Sequence, residues 1–477
     1  MSKLVAKNAL ILSLVEILGK AIEFFSFVVL ARMLGVEKYG ILNFVYTIST
    51  TFTLLPHFGF DQLVARDIPR QQEKTGVYLI GISIAKIFLF AATLILLWIW
   101  LEFFSHFDPA KKTLLYVGLW GVFFLSNIMF TSAFFRAYQR AAIEAGIRIT
   151  MAIVVMIASI VTVLISTDLF NLLMVRLCVA VGIFLLSIFQ IVTMLKPNLR
   201  GVLKDVDIAS YIQKGWPFAV FIFFTAIYVS IDIVMLSLMA GDTATGFYSV
   251  ATKIIIFFIL VPTGIGNAVM PAMSEKVKSD FDGFLRLAHS ATRYLLILSI
   301  LAVMFNMFLG QTIIHLLFGK EYAKAGLILM LLSWSLVPSY LNHIWNAMLL
   351  SFNKEKIIIV FAAIGAASNI LLNLFLIPKY TYYGASLATI LTEGVVIAVQ
   401  YLYIKRKILP QMSMFVDNRM IFLMGIGIIF VLVWLFQKWL WVGFIPAVLG
   451  YGFLLFKFGY LRKEEFSSFL RYLLKKG

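Results

Sequence analysis

The sequence predicts an all-α polytopic membrane protein, with about 14 transmembrane helices in two pseudo-symmetric six-helix lobes plus two C-terminal helices. Two observations carry most of this prediction. The 477 residues are 62% hydrophobic and only 13% charged, and a soluble protein of this size would lack a polar surface with that composition. Apolar windows of about 20 residues, each long enough to cross a bilayer as a helix, recur along the whole chain.

The charged breaks between these windows define the spans. In order, the predicted spans are 8–31, 41–61, 77–101, 113–135, 143–165, 170–194, 215–239, 246–270, 290–310, 325–350, 356–377, 383–404, 419–437 and 440–459. We read the first as a retained helix, because it is too long and too charged for a cleaved signal peptide. Residues 1–200 then form an N-lobe, 201–407 a C-lobe, 408–459 the last two spans, and 460–477 a basic amphipathic cytoplasmic tail.

The distribution of basic residues predicts the orientation. With a cytoplasmic amino terminus, 28 of the 40 Lys and Arg residues fall on the inner side and 8 on the outer side. This bias satisfies the positive-inside rule, so both termini are predicted to be cytoplasmic in a multi-pass protein of the cytoplasmic (inner) membrane. The net charge of +17 then reflects topology and attraction to anionic membrane lipid, and it requires no nucleic acid partner.

Matched residues indicate an internal duplication. At an offset of 206 residues, Gly35, Gly40, Pro56 and Asp61 correspond to Gly241, Gly246, Pro262 and Asn267. Further along, AYQR (137–140) resembles SFNK (351–354). Six spans per unit give both units the same orientation, which makes the repeat parallel. Proline kinks a helix, so the paired Pro56 and Pro262 are predicted to act as hinges.

Four of the 40 basic residues are counted on neither side and fall inside predicted spans, where a charge is costly and usually faces a cavity or a partner; basic residues close to the end of a span, Arg148 among them, are counted with the loops. They are Lys20, Lys86, Arg176 and Lys253. We predict that they line a cationic substrate-binding cavity between the lobes; a packed salt-bridge network is the alternative. Coupling or charge compensation would come from the acidic residues of the spans, Glu16, Glu23, Asp232 and Glu393.

The first span, with three of these charges in VEILGKAIEFF (15–25), predicts a further detail. Glu16 lies one turn before Lys20, the favourable order for an ion pair. We therefore expect that pair to be partly neutralised, which leaves Glu23 as a candidate for proton or sodium coupling. A cationic cavity inside a membrane favours an anionic cargo with an apolar part, such as a lipid-linked phosphate or pyrophosphate.

Several function classes find no support in the sequence. All loops are short and no GxxxxGK[ST] stretch occurs, which excludes an ATP motor on this chain. The single cysteine, Cys178, and five scattered histidines predict neither a cofactor nor a metal site, and we expect each histidine to be a loop or packing residue. These observations favour a transporter over an enzyme.

Four stretches resemble a known family: ARMLGVEKYGILNF (31–44), ARDIPR (65–70), LFGKEYAKAG (317–326) and NLFLIPKYTYYGASLATILTEG (373–394). They are similar to the polysaccharide-transport branch of the MOP exporter superfamily, which includes the Wzx-type flippases. The resemblance implies a MATE/MOP-like fold and flipping of undecaprenyl-pyrophosphate-linked oligosaccharide, such as an O-antigen unit of lipopolysaccharide. It also implies alternating access without ATP hydrolysis, coupling to H+, Na+ or the membrane potential, and partners among other polysaccharide-assembly proteins.

Three alternatives remain open at the level of sequence. A cation-coupled MATE-like multidrug exporter would suit a cavity dominated by carboxylates better than one with four basic groups. A peptidoglycan-precursor lipid flippase would belong to the same superfamily. A membrane glycosyltransferase or polymerase would normally show a large extracytoplasmic loop or an acidic catalytic motif, and neither is found in the sequence.

Overall fold

The computed structural model of the protein describes residues 3–199, 201–410, 414–436 and 439–460, with the side chains of 3–14 and 414–418 outside the description. Within these ranges every regular element is helical. The chain divides into two compact units, Met1–Ser230 and Ile231–Gly477, called here the first and the second unit. The predicted lobe boundaries at 200/201 and 407/408 stay predictions, and the predicted amphipathic tail falls almost entirely outside the described residues.

The helices follow one another with short connections. Those of the first unit are α1 Lys3–His57, α2 Phe60–Asp67, α3 Thr75–Ile99, α4 Pro109–Ala137, α5 Ala141–Ile165 and α6 Leu169–Gln190. Helix α7, Ile208–Ala240, runs across the division between the units. Those of the second unit are α8 Asp242–Ser279, α9 Phe281–Phe318, α10 Ala323–Leu332, α11 Leu336–Ser351, α12 Glu355–Lys407, α13 Met414–Leu435 and α14 Phe444–Lys457.

These helices confirm the predicted class of an all-α, multi-pass membrane protein. Among the described residues, ten helical segments are long and apolar enough to cross a bilayer. Helices α1 and α12 have 55 and 53 residues, more than twice the length that one crossing needs. Each is interrupted by one residue with non-helical dihedrals, Gly35 or Thr381, between two predicted spans. The count of fourteen crossings stays a prediction.

The backbone agrees with the predicted duplication. Gly35 has φ 74° and ψ 173°, and its predicted counterpart Gly241 has φ 85° and ψ 173°. This region of dihedral space is essentially restricted to glycine. The second matched motif repeats a different conformation: Gln139 and Asn353, each two residues after the end of a helix, have φ 59° and 55°. Both units therefore turn in the same way at corresponding positions.

The two units differ after their matched prolines. Helix α1 ends one residue after Pro56, and Phe58 and Gly59 then adopt positive φ angles of 47° and 71° before α2 begins. Pro262 instead lies inside α8, which continues to Ser279. The break in the first unit creates the short helix α2. Its buried residues join α3 and α4 in an apolar core, and they include Phe60, Leu63 and Val64.

Candidate functional site

A cavity of about 640 Å³ lies within the first unit. Its walls come from α1, α4, α5 and α6, with Ile222 of α7 at one side. Packing of α1 against α4 and α5, and of α6 against the same two helices, holds these walls together. Glycines on α1 and α4 widen it, because Gly19 and Gly121 present no side chain to the space. We call this space the charged cavity.

The first wall is the stretch of α1 that carries three charges. Glu16, Lys20 and Glu23 all line the cavity, since residues three and four apart share one face of a helix. The side chains of Lys20 and Glu23 are 46% and 45% exposed, and Lys20 Nζ lies 3.8 Å from Glu23 Oε2. This span therefore presents charged groups to the cavity.

The expected ion pair between Glu16 and Lys20 is not formed. Among the described residues, no ion pair within 4.0 Å includes Glu16. Lysine can reach a carboxylate at either i−4 or i+3, and here the amine takes the second of these positions. Glu23, which the sequence left as the less paired carboxylate, is thus the partner of Lys20.

Arg176 of α6 forms a second part of the wall. Its Nε donates a hydrogen bond of 2.8 Å to the hydroxyl oxygen of Ser159 on α5. Glu23 and Tyr46 line the same cavity as the guanidinium. Arg176 is therefore held in place by a neutral hydroxyl, and its charge remains directed towards the cavity that it lines.

A third basic group on the wall, Arg148 of α5, was assigned to a cytoplasmic loop by the sequence analysis. Its Nη2 lies 2.9 Å from Oε1 of Glu144, whose side chain is fully buried. Arg136 of α4 reaches the same carboxylate through Nε and Nη2. The spacing of four between Glu144 and Arg148 was a visible signal, but sequence alone did not show that this arginine faces a cavity.

Lys86 does not line the charged cavity. Its side chain is only 1% exposed, and its Nζ lies 3.5 Å from the carbonyl oxygen of Ser126 and 5.0 Å from the centre of the Phe130 ring. His57, which we expected to be a loop or packing residue, lies on the wall and contacts Ser126 Oγ at 3.1 Å through Nδ1. Asp61 lies 3.5 Å from its Nε2.

The remaining predicted residues lie in the second unit. Asp232 of α7 is buried and accepts hydrogen bonds from Tyr248 (2.7 Å), Thr389 (2.8 Å) and Asn373 (2.6 Å). Among the described residues, no basic group lies within 4.0 Å of its carboxylate. Lys253 on α8 and Glu393 on α12 are both half-buried.

The structure thus groups Glu16, Lys20, Glu23 and Arg176 of the predicted site and adds Arg148. Three cations face two carboxylates, so the wall has a formal excess of positive charge. Apolar residues of α4 and α5, among them Met129, Met151 and Met156, complete the lining. The volume is within the range of about 300–1,000 Å³ that is typical of ligand sites. Such a space can receive a molecule with an anionic group and an apolar or neutral part.

Comparison with protein families matches most of the first unit and part of the second. The profile of the family described as Polysaccharide biosynthesis protein matches residues 5–277, more than half of the chain. A second profile, described as MatE, matches residues 217–375. The prediction of the polysaccharide-transport branch is thereby confirmed.

Individual relatives are distant. A Shigella dysenteriae protein named as an O-antigen transporter is 26% identical over 229 residues, which cover 46% of this chain and 55% of the relative. A Haloferax volcanii protein named as flippase AglR is 28% identical over 198 residues, covering 39% of this chain and 40% of the relative. The matched regions thus span about half of the length of these relatives or less. The names of both relatives are those of transport proteins and not of enzymes.

Solved structures establish the fold. Lipid II flippase MurJ in an inward closed conformation superposes with a TM-score of 0.70 at 16% identity, over 92% of this chain and 96% of that one. An inward-facing multidrug resistance MATE transporter of the MOP superfamily gives 0.69 at 13% identity, over 83% and 96%. Since the profile covers more than half of the chain, the chain belongs to the polysaccharide biosynthesis protein family, and its fold is the one that the flippase and MATE structures share.

Proposed function

We propose that the protein is a flippase that moves undecaprenyl-pyrophosphate-linked oligosaccharide from the inner to the outer leaflet of the cytoplasmic membrane. The observation that carries the proposal is the charged cavity, where Lys20, Arg148 and Arg176 face a space of suitable volume. Guanidinium and ammonium groups bind phosphate oxygens, the first in a bidentate manner. The pyrophosphate and sugars would enter the cavity by alternating access, while the polyprenyl chain stays in lipid.

The membrane potential favours this direction of transport. Moving one elementary charge through 100 mV is worth about 2.3 kcal/mol, so two negative charges that leave a negative interior gain roughly 4–5 kcal/mol. This orientation assumes that both termini are cytoplasmic, as the basic loops predict. No ATP hydrolysis is required for a head group that carries its own charge outwards.

Ion coupling would add to this driving force. Asp232 is the best candidate, because its buried carboxylate is surrounded by hydroxyl and amide donors and has no basic group within 4.0 Å in the described part of the chain. A buried carboxylate without a counter-charge favours binding of a proton or a metal cation. We assign H+ or Na+ coupling to Asp232, with Glu23 and Glu393 as charge-compensating groups and Pro56 and Pro262 as hinges.

The proposal is tested by deleting the gene in its host and analysing lipid-linked intermediates. We expect completed undecaprenyl-pyrophosphate-linked units to accumulate on the cytoplasmic side and the surface glycan to disappear. Two other outcomes would identify the alternatives. Accumulation of the peptidoglycan precursor would assign the lipid II-type activity that the MurJ-like fold also accommodates. Drug sensitivity with an intact surface glycan would favour the multidrug export named for the MATE neighbour.

The site itself is tested by complementation with single variants. Alanine at Lys20, Arg148 or Arg176, which line the cavity, should reduce surface glycan display, by at least tenfold for Arg176. Lys204→Ala is the control, since Lys204 is exposed and lies in the connection before α7. Normal display in all three cavity variants, at normal membrane levels of protein, would eliminate the cationic site.

A further inference from the structure

Two arginines line the charged cavity, Arg148 of α5 and Arg176 of α6, and they lie at different heights along the axis of α5. The wall contributed by this helix consists of residues at helical spacing, Arg148, Met151, Ala152, Val155 and Met156. Ser159, which holds Arg176, lies eleven residues after Arg148 on the same helix. At about 1.5 Å per residue this separation is roughly 16 Å along the axis. A single diphosphate is shorter than this axial separation, so we do not expect it to contact both guanidinium groups.

Arg148 has the properties of an anion-binding residue that is oriented in advance. Its side chain is 27% exposed, and its only ion pair among the described residues joins one Nη to Glu144. Its Nε is buried and has no hydrogen-bond partner in the described part of the chain. Donors for a ligand therefore come from the two Nη atoms, where the N–H groups that are not directed at Glu144 are left for another acceptor. Ordering the side chain before the ligand arrives lowers the entropic cost of binding.

Glu144 fixes Arg148 without neutralising its surroundings. The carboxylate is fully buried and is shared with Arg136, which contacts both of its oxygens. Two guanidinium groups and one carboxylate leave an excess of one positive charge. Arg136 does not line the cavity, whereas Arg148 does. The excess charge is therefore presented to the cavity through Arg148.

We propose that the cavity contains two successive diphosphate sites. The inner site, Arg148 oriented by Glu144, receives the head group first; the deep site, Arg176 held by Ser159, receives it next. This order follows from the predicted topology, in which α5 begins at the cytoplasmic side, and the inference rests on the proposed function. Arg148 and Arg176 bind the substrate, and Glu144 is a positioning residue.

Binding of inorganic pyrophosphate to the purified full-length protein tests the two sites without requiring transport. By calorimetric titration, the wild type should bind two pyrophosphates per chain. Arg148→Gln and Arg176→Gln should each bind one, and the double variant Arg148→Gln/Arg176→Gln should bind none. Lys204→Gln is the control, because Lys204 is an exposed basic residue in the connection before α7 and does not line the cavity; it should still bind two. Two pyrophosphates bound by Arg148→Gln, or only one by Lys204→Gln, would overturn the inner site.

The Arg148→Gln change leaves Glu144 with one guanidinium, so a folding defect must be separated from a binding defect. The double variant Glu144→Gln/Arg148→Gln removes both charges of the pair and should fold while binding one pyrophosphate. Arg148→Lys keeps the charge but loses the bidentate geometry, and should retain two sites with weaker affinity at the inner one. Two full-affinity sites in the folded double variant would refute the assignment.

The order of the sites is tested by transport of a fluorescent polyprenyl diphosphate in proteoliposomes. Arg148→Gln should raise the half-saturating concentration about tenfold and leave the maximal rate within twofold, whereas Arg176→Gln should lower the maximal rate. The reverse pattern would overturn the order. Failure of the proposed function is distinguishable, because it would show as absent transport by the wild type while the pyrophosphate titrations still report both sites.

Discussion

Glu144 illustrates how much a single buried carboxylate can determine in this protein. Its side chain is completely buried and contacts Arg136 from α4 and Arg148 from its own helix. Burial of an ion group is costly unless its partners are in place, and removal of one partner leaves an uncompensated charge. The residue therefore links the packing of two helices to the charge that faces the cavity.

We predict that Glu144→Ala destabilises the protein by roughly 3–5 kcal/mol, because two guanidinium groups then lose their shared acceptor. The measurement is chemical or thermal unfolding of the purified protein in detergent. The exposed Glu73→Ala serves as control and should change the free energy of unfolding by less than about 0.5 kcal/mol. Equal stability of the two variants would contradict the structural role of Glu144.

A second prediction concerns Asp232. Asp232→Asn removes the charge that would bind a proton or Na+, and transport in proteoliposomes should lose its dependence on pH or on a sodium gradient. The matched control is Thr392→Val on α12, one turn after Thr389, because the Thr392 hydroxyl is buried with no hydrogen-bond partner in the described residues. Unchanged ion dependence in Asp232→Asn would move coupling away from this carboxylate.

At the scale of the elements, glycines with special dihedrals set where helices turn. Gly241 joins α7 to α8 with φ 85° and ψ 173°, and a side chain at such angles costs about 1–3 kcal/mol. A methyl group there would meet no heavy atom of the described residues within 4 Å, so the expected cost comes from the backbone alone. We predict a loss of stability of that size for Gly241→Ala, measured by unfolding in detergent.

The control for this prediction should change stability in the opposite direction. Gly264 lies inside α8 and also has open space around an added methyl group. Gly264→Ala should therefore stabilise the protein slightly, by up to about 1 kcal/mol, because alanine restricts the unfolded chain and favours the helix. Destabilisation by both variants to the same degree would indicate packing, and not dihedral strain, as the cause.

The junction of α8 and α9 predicts a pH dependence. Asp280 accepts hydrogen bonds from the backbone of Gly283 (2.8 Å) and from Lys276 Nζ (3.0 Å). These contacts lower the pKa of the Asp280 carboxyl below its ordinary value, the backbone bond contributing most. Because the pKa of Asp280 is lower in the folded protein than in the unfolded chain, its ionised carboxylate stabilises the fold at pH values above the unfolded pKa of about 4. This stabilisation is lost as the pH falls through the pKa of the folded state.

We therefore expect Asp280→Ala to unfold at a lower temperature than the wild type at pH 7. The two proteins should converge as the pH decreases below about 4, where the wild-type carboxyl becomes protonated in both states. Asp280→Asn keeps a side-chain acceptor for the helix terminus and should lie between them at pH 7. A difference that persists unchanged at acidic pH would contradict the assignment.

Most helices could be predicted from the sequence, because hydrophobic length decides them. The predicted spans 77–101 and 143–165 correspond to helices Thr75–Ile99 and Ala141–Ile165. What remained beyond reach depends on packing between helices. Whether Lys20 pairs with Glu23 or with Glu16 depends on the side-chain rotamers of these residues. The burial of Lys86 against Phe130 depends on how α3 packs against α4. Arg148 was missed because a basic residue near a helix end looks like a loop residue in one dimension.

For the whole molecule, the orientation in the membrane decides which site a substrate meets first. The single cysteine makes this measurable, since Cys178→Ser alone gives a cysteine-free background. The exposed positions Gln72 and Ala110 lie beyond opposite ends of α3, the first just before it and the second in the first turn of α4, and each can be replaced by cysteine. An impermeant maleimide should label Ala110→Cys in intact cells and Gln72→Cys only after permeabilisation. The opposite labelling pattern would invert the topology and the order of the two diphosphate sites.

The matched angles at Gly35 and Gly241 also have a stereochemical consequence. Reflection of φ 85° and ψ 173° gives φ −85° and ψ −173°, which is ordinary extended backbone for an L-residue. The backbone angles at these two positions therefore suit a D-amino acid as well as the angles of a strand suit an L-residue. D-Alanine at position 241 should preserve the turn that L-alanine strains, because the mirror-image residue relieves the backbone while adding the same methyl group. The backbone angles of the duplicated turn disfavour L-residues, and glycine adopts them without strain because it is achiral.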